Sequence, residues 1–375
     1  MTRPAPKILL SAGDASGDHH AAALAAELRA RVPDVRLFGF GGAASSAAGV
    51  ELLEPLAQDP VMGFAAVLPA LGRFVRLLNA MDRLFASGSP DTPDVVVPVD
   101  YPGFNVRLAR LAKRHGIPVV YYVCPQYWGW APWRVRRFAD SVDLVLTTLP
   151  FEREYLERAG IAARHVGHPL ADQLASAPNS TAGAKALAIL PGSRRREVDL
   201  LLRWQLHAAQ RLRERGGAAI PVLTTHPDAK VRASIESIAR AEGVAIEVRD
   251  QPLPALLAEC RAAIATSGTA TLECALLRVP SVIVYRVNGF SLAASRVLVT
   301  SPWIGLPNLL AGHALFPEHV AAEEPADQLA ADLAKLWDEG PERARCLREL
   351  DELRRRVLVP GAASKAADAI VERLR

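Results

Sequence analysis

The sequence predicts an α/β protein made of two doubly wound, Rossmann-like domains that face each other across a cleft. Short apolar runs alternate with helical patterns along most of the 375 residues, and the alternation stops near Asp172 and then starts again. Four motifs also lie where an apolar run meets a turn, two in each half. Ligands of such sheets bind beyond the carboxyl ends of the strands, so these motifs are expected at the binding edges.

The first series of strands indicates a domain over residues 1–172. Helical apolar spacing separates its strands, which predicts a parallel sheet with helices on both faces. The segment Ser176–Gly183, rich in small and polar residues, looks like a linker. The predicted strands are Ile8–Ala12, Leu37–Phe40, Val95–Val99, Val119–Val123, Leu144–Thr148 and Ala162–Val166.

The second series predicts a domain over residues 173–340. From Ala326 onward the pattern is helical and rich in arginine and leucine, with breaks at Pro341 and Pro360. We treat 341–375 as a C-terminal helical segment, and periodicity leaves open whether its last helix packs back on the first domain. The predicted strands are Ala186–Leu190, Ile220–Thr224, Ala245–Val248, Ala262–Thr266 and Ser281–Tyr285.

Composition narrows the class of protein. With 50% hydrophobic and 22% charged residues, the chain can bury two cores and is expected to be soluble. A net charge of +4 without a basic run argues against nucleic acid as a partner. The four cysteines lack the close spacing of metal or redox motifs, and no apolar run reaches the ~20 residues of a membrane span. A cytoplasmic location with free thiols is therefore expected.

LPGSRRREV, residues 190–198, is typical of an anion site. A strand ends at Leu190, and Gly192 and Ser193 form a turn before a helix. Exposed N–H groups and the dipole of that helix attract phosphate, and the guanidinium of Arg194 would stabilise the charge of a departing nucleotide. The alternative is an ordinary capped helix with solvated arginines.

SGTATLE, residues 267–273, repeats the strand–turn–helix pattern. Its small residues let a ligand approach the backbone, and the Glu273 carboxylate can accept two hydrogen bonds from a ribose diol. A capping box is the alternative, although the Thr269–Glu273 spacing is one residue too long for it.

Asp100 is the candidate general base. It ends an apolar strand and precedes the rigid turn Tyr101–Gly103, which would hold its carboxylate at the sheet edge. A positioned base typically contributes ~10²–10⁴ in rate. The alternative is a helix cap, in which the carboxylate bonds the backbone near Gly103.

SAGDASGD, residues 11–18, occupies the first strand-to-helix turn but lacks dinucleotide-binding spacing. Asp14 and Asp18 would repel a pyrophosphate, so this loop is expected to bond sugar hydroxyls or to shape the cleft. Asp18 can equally be a charge that complements the helix dipole.

The stretch 121–137 concentrates tryptophan and arginine, which suits a lipid-bearing acceptor or a membrane surface, or else core packing. The apolar segment Val61–Leu71, followed by three arginines, has the same two interpretations: an amphipathic lipid-facing helix or a domain helix.

Further strings complete the set in chain order: GFGG at 39–42, VMGF at 61–64, DYPGFN at 100–105, YYVCPQYWGW at 121–130, LPFE at 149–152, VGHPLAD at 166–172, Tyr285-Arg286, and LPNLLAG at 306–312. The ordered set spans nearly the whole chain and resembles the bacterial lipid-A-disaccharide synthase family.

The resemblance implies an inverting glycosyltransferase of the GT-B fold without a metal, in which domain 1–172 binds the acceptor and domain 173–340 binds the UDP-sugar. It would transfer an acylated glucosamine from UDP to the 6-hydroxyl of an acylated glucosamine 1-phosphate at the cytoplasmic face of the inner membrane. Asp100 would be the base, Gly192, Ser193 and Arg194 would bind the diphosphate, and Asn308 would lie near the donor. The nucleotide pocket would consist of Ser267, Gly268, Thr269, Thr271, Leu272 and Glu273. Acceptor or cleft contacts are expected from Gly13, Asp14, Ser16, Gly17, Asp18, Asn105, Gln126, Trp128, Trp130 and Arg134.

Three departures from the family pattern fall in the acceptor half. Asp14 stands where the family usually has a glutamate. The glutamate that is common after the Met-Gly pair is absent, and Ala65 and Ala66 stand there instead. Ala131 replaces an arginine, whose role Arg134 could take. Three rivals therefore stay open: a UDP-sugar transferase with another lipid or soluble acceptor, a UDP-sugar epimerase, and a non-catalytic sugar-nucleotide binder.

Overall fold

The computed structural model describes residues 5–57, 64–86, 89–129, 131–175, 177, 183–216, 220–287 and 301–374. For residues 64–71 it describes the backbone alone. Most of the predicted linker Ser176–Gly183, and Val61–Gly63 of the predicted lipid-facing segment, lie outside these residues. The chain divides into two compact units: unit 1 runs to Asp172 and resumes at Pro360, and unit 2 spans Gln173–Val359. Each contains one parallel sheet, which confirms the predicted fold class of two α/β domains.

Unit 1 contains a parallel sheet with the strand order β3-β2-β1-β4-β5-β6-β7. The strands are β1 Lys7–Ala12, β2 Arg36–Phe40, β3 Glu51–Glu54, β4 Val95–Val99, β5 Val120–Tyr122, β6 Leu144–Thr147 and β7 Ala163–His165. The helices are α1 Ala15–Arg31, α2 Ala43–Ala47, α3 Phe64–Ala86, α4 Pro102–Arg114, α5 Arg134–Ala139, α6 Pro150–Arg158 and α7 Pro169–Leu174.

Both faces of this sheet are buried, so its central strands are mostly apolar, as in β4, VVVPV. Alternate residues point to opposite faces: Ile8 and Leu10 pack in the core that α1 covers, whereas Leu9 and Val96 pack in the core that α3 and α4 cover.

Unit 2 contains a parallel sheet with the order β10-β9-β8-β11-β12-β13. The strands are β8 Ala186–Leu190, β9 Val222–Thr225, β10 Glu247–Arg249, β11 Cys260–Thr266, β12 Ser281–Arg286 and β13 Glu318–Ala321. The helices are α8 Arg195–Gly216, α9 Ala229–Ala241, α10 Leu253–Leu257, α11 Thr269–Leu276, α12 Leu306–Ala311, α13 Ala326–Trp337 and α14 Pro341–Val357.

The C-terminal segment 341–375 contributes helices to both units. In unit 2, α14 packs on α11, and Asp351 pairs with Arg278 at 2.8 Å. The last helix, α15 Ala362–Val371, packs on α1 of unit 1, and Asp368 pairs with Arg31 at 2.6 Å. The chain therefore leaves unit 1 and returns to it.

Each sheet has a switch point where the strand order reverses, between β1 and β4 in unit 1 and between β8 and β11 in unit 2. Ligands of doubly wound sheets bind in the crevice at the carboxyl ends of such strands. The four motifs follow these four strands directly. The four cysteines are buried and form no disulfide, and no helix in the described ranges is long and apolar enough to cross a bilayer.

Candidate active site

Asp100 follows β4 at the switch point of unit 1, in a strained turn. Its φ is +49° and that of Tyr101 is +50°, a left-handed conformation that costs a non-glycine residue roughly 1–3 kcal/mol. Hydrogen bonds fix this backbone: the Asp100 N–H donates to the Tyr122 carbonyl at 3.0 Å, and the Tyr121 hydroxyl donates to the Asp100 carbonyl at 2.7 Å. The half-buried carboxylate is therefore held at a set place on the sheet edge.

Asn105, in the first turns of α4, locks the same strand ends together. Its Nδ2 lies 2.8 Å from the Ser11 carbonyl, 3.1 Å from that of Val99 and 2.8 Å from that of Asp100. Its Oδ1 accepts from the Ser11 hydroxyl at 2.6 Å. Asn105 is fully buried and positions Asp100 through these hydrogen bonds, and its predicted place at the acceptor or the cleft stays a prediction.

The surroundings of Asp100 suit a base that works near neutral pH. Burial first, and then repulsion from the negative charges of Asp14 and Glu152, raise the pKa of Asp100 from 3.8 to about 7, against an opposing hydrogen bond from the Tyr101 N–H. A base whose pKa lies near the working pH combines a usable fraction of carboxylate with good proton affinity.

The loop after β1 packs against the Asp100 turn. A Cβ at Gly13 would lie 2.0 Å from the Tyr101 ring, so only glycine lets that ring lie over the loop. Asp14 caps α1 by accepting from the Gly17 N–H at 2.7 Å, and a Cβ at Gly17 would lie 3.4 Å from the Val99 carbonyl. The structure thus brings the half-buried Asp14 and the exposed Ser16 to the same strand ends as Asp100.

Asp18 has a structural role. Its buried carboxylate accepts from the N–H groups of Gly42, Ala44 and Ser45 at 2.7, 3.0 and 3.1 Å and from the Ser45 hydroxyl. Burial opposes its ionisation, but these hydrogen bonds outweigh burial and lower the pKa of Asp18. The oxygens of Asp18 therefore hold the start of α2, and its predicted role in bonding sugar hydroxyls or shaping the cleft stays a prediction.

The loop after β5 is fixed by a buried carboxylate. The Trp128 indole N–H donates to Glu152 at 3.1 Å, and Glu152 also accepts from the N–H groups of Thr148 and Leu149 at 3.2 and 3.0 Å. Trp128 therefore presents a ring whose one polar group is already satisfied. Gln126 is exposed, and Trp130 lies outside the described residues.

An exposed basic face lies beside this loop. Helices α4 and α5 adjoin, since the Arg110 guanidinium lies 3.4 Å from the Arg137 carbonyl. Trp133 is 60% exposed, and the neighbouring Arg134 is also exposed. We call this the α4–α5 face; its exposed cations are Arg107, Arg110, Arg114, Arg134, Arg136 and Arg137.

In unit 2, the turn after β8 is hydrogen-bonded to the side-chain carboxylate of Glu197. The N–H groups of Ser193 and Arg194 donate to Glu197 Oε2 at 3.0 and 3.3 Å, and the Arg194 guanidinium donates to Oε1 at 2.9 Å. Gly192 has a φ of +118°. The predicted anion-binding groups therefore converge on one carboxylate.

The turn after β11 presents Glu273 beside exposed backbone. Gly268 and Thr269 are exposed at the start of α11, and the φ of +152° at Gly268 favours glycine. Burial alone raises the pKa of Glu273 to about 7. Within the described part of unit 2, no hydrogen bond or ion pair reaches its carboxylate, which leaves it able to accept from a ligand.

Other residues predicted around this turn have side chains that make contacts within unit 2. Thr271 and Leu272 are fully buried, and the Thr271 hydroxyl donates to the Gly268 carbonyl at 2.7 Å. The Ser267 hydroxyl donates to the Ile304 carbonyl at 2.8 Å. The side chains of Thr271 and Leu272 thus pack inside unit 2, and nucleotide binding by these two residues stays a prediction.

Asn308 is also buried. Its Nδ2 donates to the Phe316 carbonyl at 2.7 Å and to Glu318 at 2.8 Å, and its Oδ1 accepts from the Phe316 N–H at 2.7 Å. Glu318 in turn accepts from the N–H groups of Ile304 and Gly305, both at 2.9 Å. The amide of Asn308 therefore holds the 304–318 segment together, and its place near the donor stays a prediction.

Sequence reasoning missed several residues that hold these loops. Glu152 and Glu197 are each the third residue of a helix, where a carboxylate reaches back to the preceding turn, so this spacing was the available signal. His226 follows β9 and supports the Ser193 carbonyl through Nε2 at 3.1 Å. Its Nδ1 accepts from the Asp228 N–H at 3.0 Å, which places the proton on Nε2.

Comparison with known proteins shows close relatives over the full length. A family model described as lipid-A-disaccharide synthetase matches residues 8–366. The chain is 40% identical over 386 aligned positions to a protein of Myxococcus xanthus (strain DK1622) named lipid-A-disaccharide synthase, with 100% of this chain and 99% of that protein covered.

Solved structures share the two-domain fold. The crystal structure of the glycosyltransferase of kitacinnamycin aligns with a TM-score of 0.65 at 19% identity and covers 100% of both chains. A UDP-GlcNAc 2-epimerase from Neisseria meningitidis bound to UDP-GlcNAc aligns with a TM-score of 0.61 at 12% identity, covering 98% of this chain and 99% of that one. At such low identity these likenesses establish fold, and the activity follows from the close relatives.

Proposed function

Because this chain belongs to the lipid-A-disaccharide synthase family, we propose that it transfers an acylated glucosamine from UDP to the 6-hydroxyl of an acylated glucosamine 1-phosphate. The family establishes the coarser activity: the protein is a hexosyltransferase that forms the lipid A disaccharide. The named substrates and the residue roles below are the proposal.

The observation that carries the proposal is the Asp100 carboxylate, held at a switch point with its pKa raised to about 7. In the reaction, Asp100 takes the proton of the acceptor 6-hydroxyl, and the oxygen attacks the anomeric carbon of the donor sugar. The bond from that carbon to the phosphate oxygen breaks, and UDP leaves with the bonding electrons. Attack opposite the leaving group inverts the anomeric centre and gives a β linkage.

Unit 2 supplies the donor contacts in this proposal. The Glu273 carboxylate, buried without a partner in the described residues, accepts two hydrogen bonds from the ribose hydroxyls. The diphosphate oxygens accept hydrogen bonds from the N–H groups of Ser193 and Arg194 and from the Arg194 guanidinium. These groups stabilise the charge on the departing UDP, which is the role a metal ion would otherwise fill.

Mass spectrometry of the product tests this function. Incubation with UDP-diacylglucosamine and diacylglucosamine 1-phosphate is expected to give UDP and a β-1,6-linked tetraacyl disaccharide phosphate. With donor alone, the sugar nucleotide should return unchanged. An epimerised donor, or no product with both substrates, would refute the assignment.

We further propose that the α4–α5 face binds the anionic cytoplasmic surface of the inner membrane, where the acylated substrates lie. Six exposed arginines and the exposed Trp133 support this location. Tryptophan favours the headgroup region, and each basic residue near an anionic surface contributes roughly 1 kcal/mol.

Vesicle flotation is expected to show binding to phosphatidylglycerol-containing liposomes that weakens with salt. The R110Q/R136Q/R137Q variant should bind at least ~50-fold more weakly, since it removes three charges worth about 1 kcal/mol each. The R153Q/R158Q/R164Q variant removes the same charge from ion-paired arginines of unit 1 and is the control. Equal loss of binding in both variants would mean that net charge, rather than this face, governs attachment.

A further inference from the structure

We propose that Glu197 is an internal anion that occupies the diphosphate-binding groups of unit 2 until a UDP-sugar replaces it. The inference rests on the proposed function, since it takes the Gly192–Arg194 turn as the diphosphate site. It assigns a role in donor binding to a residue that never contacts the sugar.

The contacts of Glu197 match those that a diphosphate would make. Oε2 receives the N–H groups of Ser193 and Arg194 at 3.0 and 3.3 Å, and Oε1 receives the Arg194 guanidinium at 2.9 Å. Two backbone donors and one fixed cation around paired anionic oxygens are the usual elements of a phosphate site.

The turn is shaped around this carboxylate. A Cβ at Gly192 would lie 2.4 Å from Glu197 Oε2 and 2.6 Å from its Cβ, closer than real atoms approach. Glycine is required there both by the φ of +118° and by the Glu197 side chain. The carboxylate is thus seated in the concave side of the turn, where a phosphate would have to lie to reach the same N–H groups.

A capping role explains only part of this arrangement. Glu197 is the third residue of α8, and in a capping box such a residue accepts from the N–H of the residue just before the helix, here Arg194. The additional contacts to the Ser193 N–H and to the guanidinium are not needed for a cap. They are the contacts that donor binding needs.

Two anions cannot share these groups, because a carboxylate and a phosphate at contact distance repel each other. The Glu197 side chain is 23% exposed, so rotation about its own torsions can carry the carboxylate into solvent. The donor then binds only the fraction of molecules in which Glu197 has moved, and the apparent affinity is reduced by that fraction. When UDP departs, the carboxylate returns and satisfies the exposed groups.

Calorimetric titration with UDP tests the exchange in the full-length protein. E197Q keeps an oxygen that can cap α8 but loses the charge, and it is expected to bind UDP on the order of tenfold more tightly than the wild type. E197D, whose carboxylate is withdrawn by one methylene, should change in the same direction. Uridine, which lacks phosphates, should bind all three proteins equally in competition assays.

E214Q, at the far end of the same helix, removes the same charge and should leave the UDP affinity unchanged. Thermal unfolding without ligand checks that each variant is folded. Unchanged or weaker UDP binding by folded E197Q and E197D would overturn the exchange and leave Glu197 as a scaffold of the site. A wild-type protein that binds no UDP would instead overturn the proposed function, and the exchange with it.

Discussion

D100N is expected to lower kcat by ~10²–10⁴, the range for loss of a positioned general base. The amide cannot accept the proton of the acceptor hydroxyl, so the attacking oxygen stays a weak nucleophile. The backbone around position 100 is held by Asn105 and Tyr121 through its carbonyl, and the substitution leaves those bonds in place. UDP affinity should therefore remain nearly that of the wild type.

D94N is the matched control for this prediction. Asp94 precedes the same strand at its opposite end, where its carboxylate accepts from the Lys7 N–H at 2.7 Å. Its replacement removes an equal charge far from the switch point along β4 and should leave kcat close to the wild-type value. A D100N enzyme with wild-type turnover would remove Asp100 from the chemical step.

R194A is expected to lower kcat by ~10²–10³, the cost of removing one preorganised group that stabilises transition-state charge. Charge builds on the phosphate oxygens as UDP departs, so the guanidinium contributes more in the transition state than in the bound donor. The KM for the donor should rise less than kcat falls. Single-turnover kinetics with saturating donor measures the chemical step directly.

R195A provides the comparison for R194A. Arg195 is the next residue, and its side chain is 72% exposed. Its Nε lies 4.0 Å from an Asp199 carboxylate oxygen, which is a long ion-pair distance. Loss of the Arg195 guanidinium should therefore change kcat little. If R194A and R195A lose activity equally, general electrostatic attraction of the donor, rather than a specific contact of Arg194, accounts for the effect.

Much of the fold could be predicted from apolar runs. Strands buried on both faces, such as Val95–Val99 and Ala186–Leu190, have the same limits in sequence and structure because every residue in them is apolar. The edge strands β3 and β13 were missed. Their sequences, ELLE and EHVA, are short and partly polar because each pairs with one neighbour only.

The site was predictable where a motif follows a switch-point strand and less so where a polar side chain turns inward. Asp100, Arg194 and Glu273 lie at strand ends as expected from their positions. Asn105 and Asn308 have the same polar character in sequence, but tertiary packing buries them against carbonyl oxygens. No local pattern distinguishes an amide that binds a ligand from one that holds a loop.

The pH dependence of kcat at saturating substrates tests the central claim most directly. Since a base must be deprotonated and the pKa of Asp100 is raised to about 7 by burial and by Asp14 and Glu152, kcat should rise as pH increases and level off above about 7. The residual activity of D100N should not show this rise with pH, which we call the acidic limb of the profile. A wild-type kcat that stays constant from well below to well above neutral pH, or a limb that persists in D100N, would contradict the assignment of Asp100 as the base.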